Sequence, residues 1–209
     1  IDTLLDKLEA DGIIIHVNPL QEWLQPEGDR YTKRPLDTIR RILDDTDCKI
    51  IVKEVGQGMG PESLEALLTL PIEGIEFAAF GGTNFAKLEL MRGEEEDMKE
   101  IMPLAKVGHT ADEMVRMVNA IGARLGDNML CRQFIISGGI QNFLDIHYLR
   151  NSLNFPSVAG QASKMLRYAQ KGEEALEQHI NSQLKGLTFA QNFLKVRKDS
   201  DIQYFNKSI

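Results

Sequence analysis

Apolar runs and polar, glycine-rich clusters alternate along the chain, and each dense polar cluster comes after an apolar run. Gly12-Ile13-Ile14-Ile15 predicts a buried strand over 12–17, followed by a loop dense in hydrogen-bonding groups, His16 to Arg30. Lys49-Ile50-Ile51-Val52-Lys53-Glu54 predicts a second strand, 49–54, which empties into Gly56, Gly58 and Gly60. Gly74-Ile75-Glu76-Phe77-Ala78-Ala79 predicts a third, over 74–79, ahead of Gly81-Gly82. Gln133-Phe134-Ile135-Ile136-Ser137 precedes Gly138-Gly139, and a last short strand near 156–160 runs into Gly160.

Helical periodicity fills the intervals. Leu4, Leu5 and Leu8 predict a helix over 2–10. Leu36, Ile39, Ile42 and Leu43 predict one opening at Pro35, and Pro61 opens another through Leu70. Thr110 with Glu113 has capping-box spacing and predicts a helix through about Leu125. A further helix should run to about Leu149. The tail from about 172 is helical and amphipathic, and the stretch after about 170 predicts a packing or oligomer helix pair. Residues 83–109 form a longer excursion without a clear period.

Five strand-loop-helix units imply a parallel sheet with right-handed crossovers. Chemistry-bearing clusters at only one end of the strands are the mark of a (β/α)8 barrel with its site on the carboxyl-end face. Such a barrel takes about 250 residues. The expectation is therefore an α/β fold: the last five βα units of a TIM barrel over 1–170, and a C-terminal helical extension over 171–209. A complete open five-stranded sheet is the structural alternative. The start at Ile1, inside a helical pattern, suggests a piece that begins mid-fold.

Composition narrows the partners. The formal net charge is -7, without a long basic run, which argues against a nucleic-acid partner. No apolar run approaches the ~18 residues that span a bilayer, and no secretory leader is expected. Cys48 and Cys131 form neither a CxxC site nor a disulfide framework, so free thiols and a cytoplasmic setting are expected. Glu94-Glu95-Glu96-Asp97 reads as a solvated helix start, the methionines as packing, and His109, His147 and His179 lack metal-ligand spacing.

The glycine turns Ser137-Gly138-Gly139-Ile140 and Ala159-Gly160-Gln161-Ala162-Ser163 suit a phosphate, because backbone N–H groups can approach an anion closely there. Lys53 ends an apolar strand and needs an anionic partner, either a ligand or the adjacent Glu54. Glu22 is a candidate ligand for a hard divalent cation, with Glu27 and Asp29 as alternatives. Gln21 can orient a substrate but cannot store a proton near neutral pH. His16 could donate to an anionic group. Gly81-Gly82-Thr83-Asn84 adds a flexible turn with two hydrogen-bonding side chains.

These segments, in this order and spacing, resemble the type 2 isopentenyl-diphosphate Δ-isomerases. The matching runs are His16-Val17-Asn18-Pro19-Leu20-Gln21-Glu22, Gln25-Pro26-Glu27-Gly28-Asp29-Arg30, Val52-Lys53-Glu54-Val55-Gly56, Gly81-Gly82-Thr83-Asn84 and Ser137-Gly138-Gly139-Ile140, and the likeness covers 12–166. The resemblance implies a flavin-dependent TIM barrel using FMN and Mg2+, with NADPH keeping the flavin reduced. It implies interconversion of isopentenyl and dimethylallyl diphosphate in the cytoplasm by a homo-oligomer. By position, Gln21 and His16 correspond to catalytic and substrate-contacting residues, Asn18 to a diphosphate contact and Glu22 to the magnesium ligand. Lys53 and Thr83 correspond to FMN contacts, and Gly138, Gly139, Ala162 and Ser163 to the FMN phosphate cradle. Phe85 stands where Trp is common, Gly60 where a hydroxyl residue is usual and Gln141 where a basic residue is common. The stretch after Ala86 is longer than in the family, and the family's N-terminal contacts are not in this sequence. The 209-residue chain alone is therefore expected to be nearly inactive. The competing readings are an FMN-dependent 2-hydroxy-acid oxidase, whose His-Gly-Gly-Arg pattern is not found, and an inactive fragment or assembly subunit.

Overall fold

The structure is a computed structural model that describes residues 1–25, 27–28, 30–92 and 100–197. Five strands, β1 (Gly12–His16), β2 (Lys49–Lys53), β3 (Gly74–Glu76), β4 (Phe134–Ile136) and β5 (Ser157–Ala159), form one sheet in that order. Every neighbouring pair is parallel. Right-handed crossovers between consecutive neighbours put the connecting helices on one face.

That covered face holds the core. Ile50, Val52, Ile75, Phe77, Phe134 and Ile136 are buried against Leu64, Leu68, Met114, Val115 and Val118. The aliphatic members bring about 1.5–3 kcal/mol each from burial. Leu64 and Leu68 lie on α4 (Pro61–Leu68), and Met114, Val115 and Val118 on α6 (Ala111–Leu125). The other helices are α1 (Asp2–Leu8), α2 (Pro19–Leu24), α3 (Pro35–Asp45), α5 (Phe85–Leu90), α7 (Phe143–Ser152), α8 (Ser163–Ala169) and α9 (Glu173–Phe193). Thr110 caps α6, and both halves of the predicted box with Glu113 are made.

The opposite face of the sheet is open. Its central side chains form a row in register, Ile14 beside Ile51 and Ile135 beside Val158. Ile14 and Val158, at the two edges, are 57% and 59% exposed. A hollow of about 650 Å³ lies along this face, touched by residues of all five strands. Among the described residues β1 and β5 pair with no further strand, so these five units make an open sheet.

Three elements differ from expectation. The third strand ends at Glu76 because Ala78 takes φ +40°, outside the extended region. The polar loop after β1 begins with a helix, α2, with Pro19 at its first position. The tail supplies one long helix among the described residues. It packs on α7 so closely that a Cβ on Gly186 would lie 2.5 Å from the Phe143 ring, and its His179 stacks on Tyr168 of α8 at 4.0 Å. The acidic run 94–97 lies outside the described residues, as does Asp29. Cys131 is buried, and Cys48 only partly so. Among the described residues no helix is long and apolar enough to cross a membrane.

Candidate functional site

The carboxyl ends of the strands converge on a cavity of about 560 Å³. It is lined by His16, Gln21, Lys53, Thr83, Gly138, Gly139, Ala162 and Ser163, which are eight of the ten residues singled out in the sequence. Asn18 and Glu22 do not line it.

The register explains the polar floor. His16 pairs with Lys53 and Lys53 with Glu76, so three ionisable side chains stand on one face across β1, β2 and β3. Ser137 donates to Glu76 at 2.9 Å and accepts from the Ala78 N–H at 3.0 Å, which ties the strained end of β3 to β4. Burial and the neighbouring Lys53 hold the His16 imidazole below its ordinary value, although Glu22 pulls the other way. The shift favours the neutral ring, which offers a single N–H.

Glu54 is not the ion-pair partner of Lys53. Successive strand residues point to opposite faces, and the Glu54 carboxylate turns away to accept the N–H groups of Gly56, Gln57 and Gly58 at 2.7, 2.7 and 2.9 Å. Lys53 instead donates weakly to the Glu54 main-chain oxygen at 3.4 Å. Among the described residues no carboxylate lies within ion-pair distance of its ammonium, so Lys53 keeps its charge for the cavity.

Two diglycine turns meet at the rim. A Cβ on Gly82 would lie 3.3 Å from the Gly138 Cα, and one on Gly138 would sit 2.1 Å from the Ala79 oxygen. Gly138 and Gly139 take φ +88° and +75°, which glycine alone adopts freely. Their N–H groups make no hydrogen bond to the described residues and could meet an anion. The N-terminus of α7 behaves differently. Asn142 accepts from the N–H groups of Leu144 and Asp145, and Asp145 accepts from those of Gln141 and Asn142. That helix end is already capped, so the anion-binding capacity of this turn lies in Gly138-Gly139 rather than in the helix start.

Helix α2 presents Gln21 to the cavity and Glu22 beside it. Asn18, nearly buried, donates to Glu22 at 2.8 Å and accepts from the Tyr31 hydroxyl at 3.0 Å. Arg30 reaches back to the carbonyls of Glu22 and Gly28 at 2.9 and 3.1 Å, closing the carboxyl end of α2. A Cβ on Gly28 would lie 2.0 Å from the Glu22 oxygen, so only glycine fits the return path. The described residues Gly28 and Arg30 thus serve as a collar for the helix carrying Gln21 and Glu22. Glu27, weighed as a metal ligand, is paired with Arg92.

One residue without a motif belongs to this site. Glu89 on α5 is 8% exposed, and its carboxylate accepts from Gln21 at 3.1 Å and Gln25 at 2.7 Å. Its signal in the sequence is weak: a carboxylate three residues after Ala86, on the apolar side of a short helix. Among the described residues no group of three or more His, Cys, Asp or Glu side chains is placed to hold a metal. A magnesium ion needs fewer, since one or two carboxylates suffice when water and phosphate complete its shell.

No family model matches the chain. Among solved structures, a mandelate oxidase mutant with an FMN monooxide adduct aligns with 88% of this chain and 51% of its own, at TM-score 0.48 and 11% identity. The curated relatives are far nearer in sequence. Isopentenyl-diphosphate delta-isomerase of Bdellovibrio bacteriovorus is 34% identical over 189 residues, 89% of this chain and 52% of that protein. The enzyme of the same name from Bacillus licheniformis is 35% identical over 179 residues, covering 85% and 48%. That of a Nostoc strain is 33% identical over 175 residues, covering 83% and 47%. Over most of its length the chain is therefore similar to isopentenyl-diphosphate delta-isomerases, and it spans about half the length of the curated relatives it matches.

Proposed function

We propose that this chain supplies five βα units of a flavin-dependent (β/α)8 barrel, the type 2 isopentenyl-diphosphate Δ-isomerase, which interconverts isopentenyl and dimethylallyl diphosphate. The observation that carries this reading is the joining, in one cavity, of Gln21, His16 and Lys53 with the Gly138-Gly139 turn. The open face of the sheet supports the barrel: an exposed apolar row between two edges that pair with no further strand among the described residues is what additional strands would cover.

The residues fit the implied groups. The unengaged N–H groups of Gly138 and Gly139 suit the FMN phosphate, with Ala162 and Ser163 alongside, and Lys53 and Thr83 face the same space. Reduced FMN, when bound, supplies the proton donor and acceptor for moving the double bond, with NADPH as its reductant. Glu22 would give one oxygen to Mg2+, whose remaining positions fall to water and the substrate diphosphate. His16 offers an N–H to a diphosphate oxygen, and Asn18 holds Glu22 in place beside it. Gln21 cannot exchange a proton; its amide orients the isoprenyl carbon skeleton. Half a barrel encloses only part of such a site, so the 209-residue chain alone should turn over little substrate.

The test is one substitution in the whole protein. Glu22→Gln should raise the Mg2+ concentration needed for half-maximal isomerisation at least tenfold and leave flavin loading unchanged. An unaltered Mg2+ requirement would remove Glu22 from the metal site.

A further inference from the structure

Arg92, two residues beyond α5, forks between two carboxylates. One guanidinium nitrogen donates to Glu89 Oε2 at 2.6 Å, and the other pairs with Glu27 in the collar that follows α2. The second oxygen of Glu89 takes the side-chain amides of Gln21 on α2 and of Gln25 just beyond it. A continuous chain of contacts therefore runs from Glu27 through Arg92 and Glu89 to Gln21. Among the described residues Arg92 is the one cation bonded to Glu89.

The arrangement has a direct consequence for Gln21. A carboxylate 8% exposed stays charged only when donors and an opposite charge compensate it. A charged Glu89 draws the Gln21 NH2 group toward α5. That leaves the amide oxygen on the side of Asn18, whose NH2 lies 3.5 Å away. The apolar packing between the helices (Leu20 and Leu24 against Ala86 and Leu90) sets their separation, but it does not choose between the two faces of an amide. The polar chain makes that choice.

We propose that Arg92 is a positioning residue of the isomerase site. It keeps Glu89 ionised, ties the collar to α5 and so sets the orientation of the Gln21 amide. This rests on the function proposed above, and the test separates the two. In the whole protein loaded with FMN and Mg2+, Arg92→Met, Arg92→Lys and Glu27→Gln are compared for kcat, for KM of isopentenyl diphosphate, and for hydrogen exchange over residues 19–25. Arg92→Met should lower kcat about tenfold, with KM and flavin loading within twofold, and should speed exchange over 19–25 severalfold. Arg92→Lys keeps the charge and should recover more than half of the lost kcat, and Glu27→Gln should give a smaller loss of the same kind. If Arg92→Met does not fold, the Lys and Gln variants carry the comparison. Unchanged exchange over 19–25, or unchanged kcat in a loaded, active protein, overturns the proposal. A wild-type protein that does not isomerise at all overturns the function instead, and the exchange comparison still decides the clamp.

Discussion

Gln21 donates to Glu89 at 3.1 Å across 68 residues of chain, joining the helix after the first strand to the helix after the third. The bond links the most polar stretch of the sequence to a segment with no evident pattern. Glu89→Ala would strand the Gln21 and Gln25 amides and leave Arg92 with Glu27 as its remaining carboxylate. Its cost should be about 1–3 kcal/mol, the usual penalty for leaving partly buried donors unmet. Urea unfolding of the wild type and variant measures it.

The same carboxylate makes an acid-limb prediction. Burial opposes its charge, but the donors Gln25, Gln21 and Arg92 hold the Glu89 carboxyl below the ordinary 4.5. Its stabilisation is then complete above 4.5 and is lost as pH falls through the lower folded value. Unfolding free energies should fall more steeply below pH 4.5 in the wild type than in Glu89→Gln. Parallel acid limbs would contradict this.

Glu54 has the opposite sign. Burial raises its carboxyl above 4.5, despite the backbone donors around it. A raised group stabilises fully below its unfolded value and loses that contribution as pH rises through the folded one. The stability difference between wild type and Glu54→Gln should therefore shift in favour of the variant between pH 4.5 and 8. Chemical denaturation at pH 4, 6 and 8 reads this, and a constant difference would refute it.

Gly138→Ala combines a left-handed φ with a Cβ 2.1 Å from a carbonyl oxygen. The expected cost is about 2–4 kcal/mol from backbone strain and overpacking. Flavin affinity of the whole protein should fall with it. Thermal unfolding and a flavin titration of the same sample check both.

Burial pushes the Cys131 thiol up to about 11, so its thiolate is scarce at pH 8. Cys48, only half-buried, should react first with a thiol reagent. One fast and one protected thiol are expected within these 209 residues in the folded protein, and two equal rates would contradict the buried placement.

Much of this architecture was legible because local rules agreed with tertiary ones. Ile13 to Ile15 and Ile50 to Val52 could hardly be other than strands, and Thr110 with Glu113 specified a helix start that the fold uses. Alternation with parallel register places His16 and Lys53 together, which neither strand shows alone. Other features lay beyond local reading. The Asn18 to Leu24 stretch forms a helix because Pro19 starts it and α5 packs on it, and α5 comes from a segment with no readable period. Glu76 is part of the site through register alone. Glu54 looked like a partner for Lys53 until alternation sent its carboxylate to the glycine loop. The Gly138 turn was recognisable, but the occupation of the α7 start by Asn142 and Asp145 depends on side-chain geometry.

The central claim is that these units belong to an isomerase that shifts a double bond in an isoprenyl diphosphate. The direct measurement is anaerobic incubation of the whole protein, FMN-loaded and reduced with NADPH in the presence of Mg2+, with isopentenyl diphosphate, and NMR detection of the product. Conversion to dimethylallyl diphosphate without net consumption of NADPH is the predicted result. Full flavin loading without isomerisation would contradict the account.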